Sequence, residues 1–336
     1  MIDYKQLLFL KHWIRATPIA LLLAVGNTAA AQSAAAEFPA KGRGIRVVIP
    51  FPPGGGNDVL ARFLVNGLNE GFAPGSVADN RGGAGTVIGT EIAAKGNPDG
   101  HTLLIVSVPF VVLNALYPEV KVNTLKDFTP VINVGSSPSM LLTGAASPYK
   151  SVQDVIDAAR AKPGALVYGS AGNGSSTHLI MELFKRVTKT SLVHVPYKGT
   201  GPSMTALMSA QVPVLFTNPQ AGSAFIKAGR VRALAVTATA RLKAFPDVPT
   251  MAEAGAPGCE GSVFWGVAAP TGTPRAVVTK LNAEFNRILN SSDMRKHFTA
   301  QEVEAGGGTP EAFGEFLRKE IALWGKVVRD AGIRAD

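Results

Sequence analysis

The sequence predicts an α/β fold on mostly parallel sheets, and three observations carry that prediction. From residue 44 to about 270 short apolar runs alternate with helix-like segments, two of the strand-to-helix turns are glycine-rich, and beyond Pro274 the pattern is almost wholly helical. Strands are expected at 45–49, 102–106, 139–143, 166–169, 192–195, 212–216, 232–237 and 263–268. Helices are expected at 59–68, 86–94, 152–161, 177–188, 203–209 and 219–228, the third opening on Ser151 with Asp154 three positions on, a capping arrangement. The C-terminal helices, 274–289 and 310–330, each begin on a proline, whose fixed φ suits a first turn. Turn signals stand at Asp99-Gly100, 198–201 and 270–274. With no fixed-period repeat and no long linker, two lobes sharing chain crossings fit the length of 336 residues.

The first residues read differently. Lys5, Lys11 and Arg15 precede a short apolar segment, 19–25, and the small residues Ala29-Ala30-Ala31. This is the pattern of a secretory signal peptide at 1–31, with cleavage after Ala31; the Ala34-Ala35-Ala36 triplet offers a second cut site. The apolar run falls short of the roughly 20 residues a bilayer span needs. The mature protein is therefore expected to be exported. Removing three basic residues and Asp3 takes the formal charge from +9 to +7. The remaining basic residues are scattered without aromatic interleaving, which argues against nucleic acid and for a general attraction of anionic solutes. A single cysteine, Cys259, excludes an internal disulfide and a multi-cysteine metal site.

Candidate chemistry gathers on the two glycine-rich turns. Residues 50–58, PFPPGGGND, join an apolar strand to a helix, and glycine there lets a ligand approach main-chain N–H groups beside the positive end of a helix dipole. A capped turn that binds nothing, with Asn57 or Asp58 accepting from the first free amides, is the alternative. Residues 169–176, GSAGNGSS, repeat the arrangement and add the hydroxyls of Ser170, Ser175 and Ser176; capping by Ser175 or Ser176 is again the plainer role. Ligands in open α/β sheets sit beyond the carboxyl ends of strands, so the two loops read as two halves of one cleft. Ser107, Thr217 and Asn218 also end strands, and Lys198 follows another as either an anion partner or a solvated turn lysine.

Enzyme readings find less support. Ser175, His178 and Asp58 form a hydrolase set only on paper: G-x-S-x-G is absent, and a serine three positions before a histidine on one helix lies along the same side. His178 reads better as a helix residue bonding a neighbouring loop. His101, His194 and His297 lack metal-ligand spacing, and no phosphate-loop or dinucleotide fingerprint occurs. No cofactor and no metal are expected.

The ordered motifs resemble the receptors of tripartite tricarboxylate transporters, the Bug or TctC-type periplasmic solute receptors. The marks are Ile45-Arg46-Val47-Val48-Ile49-Pro50-Phe51 with GGGND, Asp79-Asn80-Arg81 with GGAG, Pro98-Asp99-Gly100-His101-Thr102, Lys126-Asp127-Phe128, GSAGNGSSTH, His194-Val195-Pro196-Tyr197-Lys198-Gly199, Pro246-Asp247-Val248-Pro249-Thr250, and Trp324-Gly325-Lys326. The resemblance implies a type II-like flytrap: lobe one at 38–138 plus 263–336, lobe two at 139–262, and a cleft between them. It implies a small carboxylate ligand, such as a dicarboxylate, tricarboxylate or aromatic acid, a membrane permease as partner, and a monomer. Presentation of the ligand to a sensor kinase is the alternative. Carried over onto this chain, the binding residues are Phe51, Pro53, Gly54, Gly55 and Asp58 on one lobe and Ser170, Ala171, Gly172 and Asn173 on the other, with Ser107 beside them. Many relatives have Ala at the position of Pro53, and often an aspartate where this chain continues Thr217-Asn218. The change implies a ligand without an amino group, since Thr217 cannot pair with one by charge.

Overall fold

In the computed structural model the described residues are 38–54 and 56–334; the expected leader, 1–31, and Gly55 lie outside them. In chain order the elements are β1 (Arg46–Ile49), α1 (Gly56–Asn69), β2 (Val77–Asn80), α2 (Val87–Ala94), β3 (Thr102–Ser107), α3 (Val108–Leu116), β4 (Phe128–Pro138), β5 (Met140–Gly144), α4 (Val152–Ala161), β6 (Val167–Ser170) and α5 (Ser176–Thr188). There follow β7 (Val193–Pro196), α6 (Thr200–Met208), β8 (Val214–Thr217), α7 (Pro219–Lys227), β9 (Val231–Val236), β10 (Ser262–Pro270), α8 (Arg275–Leu289), α9 (Ser292–Ala300), β11 (Glu304–Gly307) and α10 (Pro310–Asp330). The α4 start carries the reciprocal capping box expected of Ser151 and Asp154.

Two sheets result, ordered β11-β4-β10-β3-β1-β2 and β7-β6-β8-β5-β9. Both are mixed sheets in which most strands run the same way. Strands β1, β2 and β3 run parallel, as do β6, β7 and β8, but β10 runs antiparallel to β3 and β4, and β5 antiparallel to β8 and β9. The odd strands are those by which the chain changes sheets. β4 leads through Ser139 into β5, and the return runs from β9 to β10. Thr237 joins these crossings: Ser139 N–H donates to its hydroxyl at 2.8 Å, its own N–H donates to Ser139 O at 2.8 Å, and its hydroxyl donates to Gly261 O.

Alternation along the strands divides the core into layers. Val47, Ile49, Leu103 and Ile105 face α1 and α8, with Leu64 and Leu281 in the same cluster. Val48, Leu104 and Val106 join a larger cluster with Leu141, Phe216 and Trp324, so one apolar core runs beneath both sheets. Met140, Leu142 and Leu215 face α6 on the far side of the second sheet. The tightest fit lies where β10 crosses α10: a Cβ on Gly266 would stand 2.1 Å from Phe313 Cζ, whose ring is buried. Gly266→Ala should therefore cost about 2 kcal/mol by overpacking. Urea unfolding checks this, and an unchanged midpoint would show that the ring can withdraw.

Candidate functional site

The turn between β1 and α1 is organised by Asp58. This carboxylate, buried in the first turn of α1, accepts from Gly54 N–H (2.8 Å), Asn80 Nδ2 (2.9 Å) and Arg62 Nε (3.1 Å). Asn80 Nδ2 also donates to Phe51 O, and Arg62 donates to Asn80 Oδ1. Burial opposes ionisation of Asp58, but the bonds from Arg62, Gly54 and Asn80, with the Arg62 charge, outweigh it and lower the pKa to about 2. Asp58 thus holds the loop's shape, and Gly54 N–H is already bonded within it. Gly54 needs its positive φ of 85°; Pro53 and Gly54 are exposed and Phe51 half-buried.

The 169–176 turn is also largely satisfied from within. Ala171 N–H donates to Thr177 Oγ1 (2.9 Å), Gly172 N–H to Ser170 Oγ (3.0 Å) and Gly174 N–H to His178 Nδ1 (3.1 Å). Ser175 is the N-cap of α5, its hydroxyl accepting from His178 N–H at 3.3 Å and donating to Gly172 O at 2.7 Å. The expected bond from His178 to a neighbouring loop is therefore present. Beneath the turn lies a buried polar cluster that motif spacing did not reveal. The His178 and His194 rings stack at 3.8 Å, Ser170 Oγ stands 2.6 Å from His194 Nε2, and Glu182 accepts from Tyr168 Oη and from Lys185 Nζ at 2.7 Å. Burial, then the neighbouring His194 and Lys185, push the His178 pKa down to about 3, so the ring is neutral at pH 7.

Between the two turns stands a segment that the sequence reading used only as a family mark. Gly83, Ala84, Gly85 and Thr86 all have positive φ, an uncommon conformation for a β-branched residue such as Thr86. A Cβ on Gly82 would lie 3.1 Å from Pro52 N, one on Gly85 2.2 Å from Tyr117 Oη, and one on Gly174 2.8 Å from Leu116 Cδ1. The chain at 82–86 and the end of α3 therefore link the two turns. Ser107, buried and extended, precedes α3 without a side-chain capping bond.

A cleft of about 540 Å³ opens beside the first turn. Its walls are Gly56, Val59 and Leu60 of α1, Thr200 of α6, Asn218, Gln220 and Ala221 at the start of α7, Trp265 of β10, and His297, Phe298, Gln301 and Val303. Three helices begin at this cleft: Gly56 and Thr200 are the first residues of α1 and α6, and Asn218 caps α7 by accepting from Ala221 N–H. Helix starts carry about half a positive charge each, offset at α1 by the ionised Asp58 in its first turn, and among the described residues no Asp, Glu, Lys or Arg lines the walls. Gln220 spans the gap, donating through Nε2 to Ser137 Oγ at 3.2 Å and to Gln301 O. Of the residues singled out from the sequence, Asn218 lines this cleft, while Thr217, which precedes it in the chain, is buried and does not line it, its hydroxyl without a partner. Phe51, Pro53, Gly54, Asp58, Ser107 and Ser170, Ala171, Gly172 and Asn173 are not among its walls. Lys198 is exposed and does not line it either.

The model of the tripartite tricarboxylate transporter family receptor matches residues 60–333. The chain belongs to this family. The receptor is 37% identical over 318 residues to protein BugT of Bordetella pertussis, covering 94% of this chain and 97% of that one. Among solved structures it is similar to Rpa4515 of R. palustris with adipate (TM-score 0.77, 37% identity, 88% of this chain and 99% of that one). It is likewise similar to MatC of Rhodopseudomonas palustris with bound malate (TM-score 0.75, 31% identity, 86% and 99%). The receptor thus has the two-lobed periplasmic-binding fold, and its family is one of solute receptors rather than enzymes. The Ser175–His178 hydrolase set is accounted for otherwise: the hydroxyl caps α5 and the imidazole Nδ1 accepts from Gly174 N–H. Cys259 is a buried thiol whose pKa is raised by burial, then by Glu260, which suits packing rather than reactivity.

Proposed function

We propose that this receptor is exported to the periplasm, captures a small carboxylate between a lobe of residues 38–138 with 263–336 and a lobe of residues 139–262, and delivers it to a tripartite tricarboxylate-type permease. The observation that carries this reading is the convergence of the α1, α6 and α7 N-termini on a cleft without charged walls. Such a cleft favours an anion through dipoles and main-chain donors. Adipate and malate in the two solved relatives support the same ligand class. In this reading the main-chain groups at Gly56 and Asn218 receive the carboxylate, while Asp58 and Ser170 hold their turns in shape.

Among the described residues no acidic side chain lines the cleft to pair with an ammonium, which favours acids without an amino group. A thermal-shift screen tests both points: an acid at 100 times its dissociation constant should stabilise the protein by about 2.7 kcal/mol. Response to another solute class alone would defeat the carboxylate reading. Response to aspartate and glutamate but not to plain dicarboxylates or aromatic acids would defeat the second point.

A further inference from the structure

We infer that the cleft selects carboxylates with an apolar body of ring or six-carbon size and one charged end, over short hydroxylated di- and tricarboxylates. This inference rests on the solute-receptor reading above and deepens it. At about 540 Å³ the cleft has the size of a site for an acid of ring or six-carbon size. Val59, Leu60, Trp265, Phe298 and Val303 make an apolar wall, beside His297 and Gln301. Only a ligand that reaches these walls gains by removing apolar surface from water.

The polar side chains nearby have other work. Asn218 Oδ1 caps α7, and Gln220 Nε2 is bonded to Ser137 and Gln301. His297 packs at a tilt against Phe63 with ring centroids 4.3 Å apart, and burial lowers its pKa, so it supplies no fixed cation. A second carboxylate placed against these walls would lose its hydration with no Lys or Arg to replace it. Val59 is 40% exposed on the same face of α1 as Gly56, one turn from the helix start, and sets where the apolar wall begins.

The test is calorimetric titration with benzoate, phenylacetate and hexanoate beside succinate, malate and citrate. The first set should bind at least tenfold more tightly, and should change the emission of Trp265; that change should vanish in Trp265→Phe, which keeps buried Trp324 as reference. Val59→Arg, at an exposed position that should leave folding intact, should reverse the preference by placing a guanidinium against the apolar wall. Equal or tighter binding of the short acids overturns this inference and leaves the carboxylate receptor standing. An unaltered preference in Val59→Arg puts the ligand elsewhere and also overturns it. Binding of neither set removes the receptor reading itself, and this one with it.

Discussion

Acidification from pH 6.5 to pH 4.5 should cost the receptor about 2 kcal/mol of stability through His178 alone, a loss that His178→Gln should abolish. His178 projects from α5 into a closed environment: Tyr168 and Ser170 from β6, His194 from β7, and Glu182 and Lys185 from its own helix. Its Nδ1 accepts from Gly174 N–H, so it is neutral with the proton on Nε2, facing Glu182 at 3.8 Å. The folded pKa is about 3, against about 6.5 in the unfolded chain. As pH falls the unfolded state therefore takes up the proton first. The contribution is complete well above pH 6.5 and is lost as pH falls through 6.5 to about 3, with a slope that reaches about 1.4 kcal/mol per pH unit between the two pKa values. Asp58 acts with the same sign but only from about pH 3.8 down to about 2, below this window.

His101 and His297 are also lowered, His101 by burial and then by Arg43, and His297 by burial, so the informative quantity is the difference between wild type and variant. His178→Gln should be less stable at pH 7, having lost the Gly174 bond and the stack, but its urea midpoint should fall less steeply with acid. Parallel pH profiles for the two proteins would show that His178 is not the group titrating.

That histidine also marks the limit of what the sequence disclosed. Its bond to a loop was legible because residues four apart on a helix start face back over the cap. Its stack on His194 was not, because that contact depends on the parallel register of β6 and β7, which sets Tyr168 opposite His194. The strands with clear apolar runs were found, as were both proline-led C-terminal helices. β4 was missed: Pro130, Asn133, Gly135 and Pro138 interrupt its pattern, and antiparallel pairing with β10 on one side and β11 on the other sustains it. β11, Glu-Ala-Gly-Gly, is strand by pairing with β4 alone. The continuous apolar segment of α3 offered no period by which to recognise it as a helix. The first glycine turn was legible as a strand-to-helix turn, whereas the convergence of three helix starts depends on topology and left no local signal.

Asp58→Ala should cost about 3 kcal/mol of stability and weaken carboxylate binding at least tenfold. Three donors lose a charged acceptor in this variant: Gly54 N–H, Asn80 Nδ2 and Arg62 Nε. A hydrogen bond to a charged group contributes about 1.5–3 kcal/mol. The sum is discounted because the Arg62 side chain is half exposed and Gly54 is exposed, so water replaces part of what is lost. Asp58→Asn keeps an acceptor without the charge and should fall between the two. Binding separates a positioning role from direct contact. An aspartate facing the ligand would repel a carboxylate, and its removal would strengthen binding. An aspartate that anchors the turn before Gly56 does the opposite, because releasing Gly54 lets the start of α1 lose the geometry that aims its amides into the cleft. Weaker binding in Asp58→Ala, measured at a temperature where the variant stays folded, is the expected result. Unchanged affinity would mean that the 50–58 turn plays no part in holding the ligand.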